Sequence, residues 1–193
     1  MVDDSNVRRN HASVKARFGN LSAVLAGDYL LAKAILLLAH PSDNPILNEM
    51  LRTAAAMSEG ELMQSTRSLS PSKGRDKKVE SSIGRPFDKF GDLDYLDIIT
   101  RKTAMLMRSC CASGALSVNA SPEHVQQIAD FGLNFGILFQ LRDDILDSEN
   151  VAQAQVLLPI YYEKTLKALE GFPPSEIVEA LRDLTVFCAE RKE

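Results

Sequence analysis

The 193-residue sequence has little cysteine, with only Cys110, Cys111 and Cys188. An odd number of cysteines without metal-ligand spacing argues against a disulfide framework. Two of them are adjacent in a stretch with helical periodicity, so we expect all three to be reduced residues of the core. Free core thiols are typical of a reducing compartment, and we predict a cytoplasmic protein.

The sequence also lacks a dominant basic block, and its formal net charge is -4. Nucleic-acid-binding proteins usually carry a clustered positive surface, so nucleic acid is not an expected partner. We expect no signal or transit peptide at this N-terminus. The most apolar segment, residues 21–39, is interrupted by Asp28 and Lys33. Because of these charges, we expect a buried helix there and no transmembrane segment.

A two-residue alternation typical of strands is absent, and helical periodicity dominates. With 45% hydrophobic residues, the chain is long enough for a single domain with a sizeable core, covering residues 1–193. The pattern predicts an all-α, antiparallel helical bundle. Its six helices cover about residues 13–40, 44–66, 93–116, 121–148, 152–169 and 175–191. The polar, Gly- and Pro-containing segment 68–91 is too long for an ordinary connection, and we expect a mobile surface loop.

Three aspartates interrupt the apolar pattern of the fourth predicted helix. At 3.6 residues per turn, Asp143, Asp144 and Asp147 fall on the same side as Gln140, so we expect their polar ends to converge. Carboxylates so close repel one another unless a cation lies between them. Mg²⁺ takes oxygen ligands and keeps positions open for phosphate oxygens. The spacing predicts a magnesium–diphosphate site, with a solvated helix face or a cap as the alternative.

Two basic features could bind an anion. Arg8 and Arg9 come just before the first helix, and a pair of guanidiniums can bind phosphate oxygens bidentately. Lys102 and Thr103 begin an apolar stretch, where a lysine can point into a bundle cavity. The alternatives are a solvated arginine pair and a lysine that extends to the surface. Neither the arginine pair nor the pair Lys102–Thr103 by itself is specific for an anion-binding site.

Four motifs, in order, resemble those of the trans-isoprenyl diphosphate synthase family, also called polyprenyl synthases. They are Phe18-Gly-Asn-Leu-Ser-Ala-Val-Leu-Ala-Gly-Asp-Tyr-Leu-Leu-Ala-Lys33, Ser58-Glu-Gly-Glu-Leu-Met-Gln64, Arg101-Lys-Thr-Ala104 and Phe139-Gln-Leu-Arg-Asp-Asp-Ile-Leu-Asp147. Four motifs in order are far more specific than one. The likeness covers most of the chain and is greatest to synthases of medium and long polyprenyl chains. It implies a bundle of the isoprenoid synthase type and a homodimer, or a heteromer with a prenyl synthase subunit.

The resemblance also implies the chemistry. In such enzymes two aspartate-rich helices hold Mg²⁺ against an allylic diphosphate, whose ionisation gives a cation that isopentenyl diphosphate attacks. The product belongs to isoprenoid biosynthesis, including quinone side chains. By the same matching, the metal ligands are Asp143, Asp144 and Asp147, the diphosphate-binding residues are Arg8, Arg9, Lys102 and Gln140, and the catalytic residues are Lys102, Thr103 and Gln140.

The sequence departs from the family pattern in three places. Asp3 matches only the last aspartate of the family's first aspartate-rich motif, as a further metal ligand. Its leading aspartates, and the first helices of the bundle, would precede Met1. A Gly-Lys-containing loop before Pro159 is missing, and Asn10 stands where the family commonly has glycine. We therefore expect an N-terminally incomplete chain that is weakly active or inactive alone. A non-catalytic regulatory subunit and a helical isoprenoid-binding protein are the alternatives.

Overall fold

The computed structural model describes residues 5–8, 10–39, 44–69 and 95–192. Within these residues almost all of the chain is helical, and the all-α prediction is confirmed. The helices are α1 (Val14–Leu38), α2 (Pro45–Leu69), α3 (Tyr95–Ile99), α4 (Met105–Ser117), α5 (Pro122–Leu146), α6 (Val151–Lys167) and α7 (Glu176–Glu190). A π-helical turn, Thr100–Ala104, joins α3 to α4.

The helix boundaries agree with the prediction to within a few residues, because local cap residues set them. The side chains of Ser13, Ser121 and Ser175 each accept a hydrogen bond from a backbone N–H three residues further on. Such a cap satisfies one of the free donors of a helix N-terminus. Residues 68 and 69 of the expected loop belong to α2, and the rest of that loop lies outside the described residues.

A short hairpin precedes α1, where the sequence predicted no strand. Strand β1 (Val7–Arg8) pairs antiparallel with β2 (His11–Ala12). Two residues per strand are too few to show an alternating pattern. In the turn between them Asn10 has φ 63°, in the left-handed region that favours glycine. Asparagine adopts this conformation more readily than most other residues, so it can replace a glycine here.

The chain divides into two compact units, Met1–Asn48 and Glu49–Glu193. In the first unit α1 kinks at Gly19, which has φ 83°, and none of its residues is buried. The predicted burial of residues 21–39 is therefore wrong. The hairpin and the first residues of α2, which are the other described parts of this unit, present too little surface to cover a 25-residue helix. Helix α1 is long and apolar enough to cross a membrane, by length and composition alone. One such helix is weak evidence for a membrane span.

Helix α5 is the centre of the second unit. It packs against α3, the π-helical turn, α4, α6 and α7. Leu138 and Leu141 on α5 are completely buried, as is Leu169 just after α6. Because α5 is enclosed along most of its length, its polar C-terminal end is fixed relative to the helices of this unit that pack against it.

Glycines bring two helices against the backbone of the π-helical turn. A Cβ added at Gly136 of α5 would lie 2.5 Å from the Cα atom of Ala104. A Cβ added at Gly60 of α2 would lie 2.7 Å from the backbone nitrogen of Lys102. Distances this short leave no room for a larger residue. The close approach places the turn beside both α2 and α5.

Candidate functional site

The π-helical turn carries Lys102 and Thr103, and their side chains extend to different helices. The Lys102 Nζ atom donates to Gln64 Oε1 of α2 at 2.7 Å and lies 3.7 Å from Glu61 Oε2. The Thr103 Oγ1 atom donates to Gln140 Oε1 of α5 at 2.7 Å. Short π-helical segments are rare in proteins, but those that occur often lie at functional sites. Here the turn contacts two of the other family-like motifs, the one that ends at Gln64 and the one that contains Gln140.

Asp144 continues this hydrogen-bond chain into the core. Gln140 Nε2 donates to one of its oxygens at 2.8 Å, and the Tyr95 hydroxyl donates to the other at 2.5 Å. Asp144 is 6% exposed and Tyr95 is 4% exposed. A buried carboxylate is tolerated only when donors satisfy it, and here both oxygens have one. The side chains of Thr103, Gln140, Asp144 and Tyr95 thus form one connected network.

Asp143 and Asp147 have different surroundings from Asp144. One oxygen of Asp143 accepts a hydrogen bond from the Arg191 guanidinium, at the C-terminal end of α7. Burial raises the pKa of Asp143 above its usual value, and repulsion from Asp147 and Asp144 adds to the rise, whereas Arg191 opposes it. Asp147 is exposed and caps the C-terminus of α5.

The three carboxylates lie near enough to repel one another, as expected, but Asp143 and Asp144 have different hydrogen-bond partners. Among the described residues no group of three or more His, Cys, Asp or Glu side chains is close enough to hold a metal ion. Helical spacing placed the aspartates on one side of α5, but Tyr95 and Arg191 draw Asp144 and Asp143 toward different neighbours. The assignment of these aspartates as metal ligands stays a prediction.

The donor types nevertheless fit Mg²⁺. The acidic end of α5 offers only oxygen donors, and Mg²⁺ is usually held by one or two carboxylates while it keeps several waters. Asp147 is exposed, and Asp143 is only partly buried, with 31% of its side chain exposed. These two residues are therefore the accessible donors. Asp144 is buried, and each of its oxygens already accepts a hydrogen bond, so it is suited to orient the helix end.

The arginine pair and Asp3 lie in the first unit. The backbone of Arg8 belongs to β1, but its side chain, all of Arg9 and all of Asp3 lie outside the described residues. Their predicted contacts with diphosphate and metal stay predictions.

An open groove of about 610 Å³ lies beside Lys102. Its other lining residues are Met57, Ser58, Glu61 and Leu62, all on α2. The walls are mainly apolar, and their charged groups are Lys102 and Glu61, whose side chains lie 3.7 Å apart. A molecule with an apolar chain and a charged end suits such a surface.

Sequence reasoning did not identify Tyr95 and Arg191. Tyr95 lies in an apolar helical run, and a buried tyrosine needs a partner for its hydroxyl, which is a usable but weak signal. No sequence pattern indicates a special role for Arg191, since it is one of several charged residues near the end of the sequence. Glu61 and Gln64, both in the motif at residues 58–64, are partly buried beside Lys102.

Two known proteins are similar to this chain over most of its length. The geranylgeranyl diphosphate synthase of Sulfolobus acidocaldarius is 35% identical over 153 residues, which are 76% of this chain and 41% of that protein. The geranylfarnesyl diphosphate synthase of Methanosarcina mazei is 30% identical over 174 residues, 86% of this chain and 52% of that protein. The chain thus spans about half the length of these curated relatives.

Solved structures share the fold. A polyprenyl synthase from Caulobacter crescentus CB15, complexed with calcium and isoprenyl diphosphate, superposes with a TM-score of 0.79 at 24% identity. The match covers 100% of this chain and 73% of that one. A family model described as polyprenyl synthetase matches residues 1–155. The chain belongs to the polyprenyl synthetase family.

Proposed function

We propose that the chain is part of a trans-prenyltransferase of isoprenoid biosynthesis, which condenses isopentenyl diphosphate with an allylic diphosphate. The observation that supports this most directly is the network from Thr103 through Gln140 to Asp144, because it joins two separate family motifs in one place. Membership of the polyprenyl synthetase family over residues 1–155 gives the reaction class. A medium or long polyprenyl product is the proposed outcome, since the relatives include octaprenyl and decaprenyl synthases.

The reaction divides into an ionisation and an attack. The allylic carbon–oxygen bond breaks, and both electrons leave with the diphosphate. The double bond of isopentenyl diphosphate then attacks the allylic cation, a carbon–carbon bond forms, and a proton is lost. The protein must therefore stabilise negative charge on the departing diphosphate while it excludes water from the cation.

The residues of the second unit suit the first of these tasks. Lys102 places a positive charge beside the groove, where it would bind diphosphate oxygens. Thr103 and Gln140 would hold neighbouring oxygens and keep Asp144 in place. Asp143 and Asp147 would hold Mg²⁺, which when bound supplies positive charge for the leaving group. The structure of the Caulobacter relative, complexed with calcium and isoprenyl diphosphate, supports a divalent cation.

Magnesium-dependent binding of inorganic diphosphate tests this proposal. Isothermal titration calorimetry should show binding by the 193-residue chain with Mg²⁺ and its loss with excess EDTA. The double variant Asp143→Asn, Asp147→Asn should abolish it, because these substitutions keep the side-chain size and remove the negative charges of both proposed ligands. Elongation of an allylic diphosphate by this chain alone should be weak, since the chain spans about half the length of its curated relatives.

Asp183→Asn is the matched control. Asp183 is exposed on α7, so its loss should leave diphosphate binding unchanged. Far-ultraviolet circular dichroism of each variant should retain the helical signal. Equal binding by the double variant and the unmodified chain would remove these aspartates from the proposed site.

A role as a subunit of a heteromeric synthase is the second candidate. It is favoured by the relative named heptaprenyl diphosphate synthase component 2 of Geobacillus stearothermophilus, which is 30% identical over 175 residues. In this case the chain binds diphosphate but forms product only when a second prenyl synthase subunit is added. Product formation by the chain alone at an undiminished rate would exclude it.

A further inference from the structure

Arg191, the residue that follows α7, packs on a single turn of α5. Its guanidinium donates to Asp143 and lies 4.3 Å from the centre of the Phe139 ring. Its backbone carbonyl oxygen accepts a hydrogen bond from Arg142 Nε at 2.8 Å. Residues 139, 142 and 143 are neighbours on one helical turn. The end of α7 is thus attached to the part of α5 that carries the acidic motif.

The contact with Asp143 is partly shielded from water. Only 17% of the Arg191 side chain is exposed, and 31% of the Asp143 side chain. A guanidinium held by a ring face and a carboxylate is fixed in one orientation, and its hydrogen bond to the carboxylate is charge-assisted. Without it, Asp143 would be left beside the like charges of Asp144 and Asp147, which repel it.

We propose that Arg191 is a positioning residue that holds one oxygen of Asp143 and leaves the other available to a divalent cation. Among the described residues no hydrogen bond to the second oxygen of Asp143 is found. The inference rests on the proposed function, in which Asp143 is a metal ligand. It goes beyond the family match, because α7 and Arg191 lie after the matched residues 1–155.

Mn²⁺, a paramagnetic substitute for Mg²⁺, provides a test that needs no substrate. Electron paramagnetic resonance of free Mn²⁺ gives the affinity, and broadening of the amide signals of residues 143–147 gives the location. Arg191→Gln should weaken binding at these residues about tenfold, the effect typical of losing a partner that orients a metal ligand. Lys192→Gln removes the same charge from the adjacent exposed residue and should leave binding unchanged.

Arg191→Lys serves as the second variant. It retains the charge but not the planar guanidinium, so its affinity should lie between those of Arg191→Gln and the unmodified chain. If Arg191→Gln loses its helical circular dichroism, the Mn²⁺ affinity of Arg191→Lys, compared with that of the unmodified chain, tests the inference. A purely structural role predicts loss of thermal stability in Arg191→Gln with unchanged Mn²⁺ affinity.

Three results would overturn the inference. Unchanged affinity in both variants would show that Arg191 does not act on Asp143. Tighter binding in Arg191→Gln would show that the guanidinium competes with the cation. If Mn²⁺ does not broaden residues 143–147 of the unmodified chain, the metal assignment of the proposed function fails as well. The first two results leave that assignment intact, so the two failures are distinguishable.

Discussion

Neighbouring residues of one motif have different environments in this protein. Asp143 and Asp144 are adjacent, yet their partners differ. Asp144 is buried and accepts hydrogen bonds from two neutral donors, whereas Asp143 is partly exposed and forms an ion pair with the Arg191 guanidinium. A buried carboxylate with a donor at each oxygen is suited to hold structure, and a partly exposed one with an oxygen that has no protein partner is suited to bind a ligand. The two aspartates are therefore expected to respond differently to substitution.

The three cysteines also differ, and their reactivity is expected to follow burial. Cys188 is 3% exposed, and burial raises its pKa to about 11, whereas Cys110 is exposed. Because the thiolate is the reactive form, iodoacetamide at pH 8 should modify Cys110 quickly and Cys188 slowly. Peptide mass spectrometry at successive times measures both rates. Equal rates would contradict the burial of Cys188.

The raised pKa of Cys188 has a consequence for stability. The folded value of about 11 lies above the ordinary value of 9.0, so the neutral buried thiol stabilises the fold below pH 9. That contribution is lost as the pH rises from 9 toward 11. In Cys188→Ala the free energy of unfolding, measured by urea titration, should fall less steeply over this range. Cys110→Ala, which removes an exposed thiol, is the control for the loss of a cysteine.

At the scale of helices, the π-helical turn depends on the glycines that face it. Gly136 of α5 and Gly60 of α2 both approach its backbone within a distance that a Cβ cannot occupy. The hydrogen bonds of Lys102 to Gln64 and of Thr103 to Gln140 need this close packing. The geometry of the candidate site is thus a result of helix packing.

Gly136→Ala is expected to destabilise the protein by about 1–3 kcal/mol, the usual cost of overpacking a core. Its new methyl group would lie 2.5 Å from the Cα atom of Ala104. Gly114→Ala on α4 is the matched control, because nothing lies within 4 Å of its added Cβ. It should stabilise the helix by about 0.5–1 kcal/mol. Urea unfolding followed by circular dichroism measures both, and an equal effect of the two substitutions would contradict the packing argument.

At the scale of the whole molecule, helix α1 carries large apolar side chains that are exposed in the described part of the chain. Leu21, Leu30 and Leu37 are 73%, 67% and 81% exposed. A patch of large exposed apolar residues commonly marks an interaction surface. The sequence predicted a homodimer or a heteromer, and that remains a prediction about the assembly.

We expect α1 to drive self-association of the chain. Sedimentation equilibrium should give an apparent mass that rises with concentration, and the double variant Leu30→Gln, Leu37→Gln should lower it toward 21.3 kDa. Val118→Gln is the control, because Val118 is 73% exposed but lies outside α1. A mass of one chain at all concentrations for the unmodified protein would contradict this role of α1.

Much of the helical fold followed from local sequence. Serine caps, proline at the first turn and helical periodicity located the helices, because these signals act within one or two turns of the chain. The motif with Asp143, Asp144 and Asp147 and the pair Lys102–Thr103 also followed from the sequence, since their spacing matches the family. Neither the short hairpin nor the exposure of α1 followed from local sequence, because both depend on which surfaces are available to pack.

The sequence by itself determined the helices, the family and the identity of the acidic and basic motifs, because each is written in residues close together in the chain. Only the tertiary structure decided how the motifs are joined. Tyr95 is 49 residues from Asp144, and Arg191 is 48 residues from Asp143. Partners this distant meet only when α3 and α7 pack against α5, and no spacing along the chain specifies that meeting.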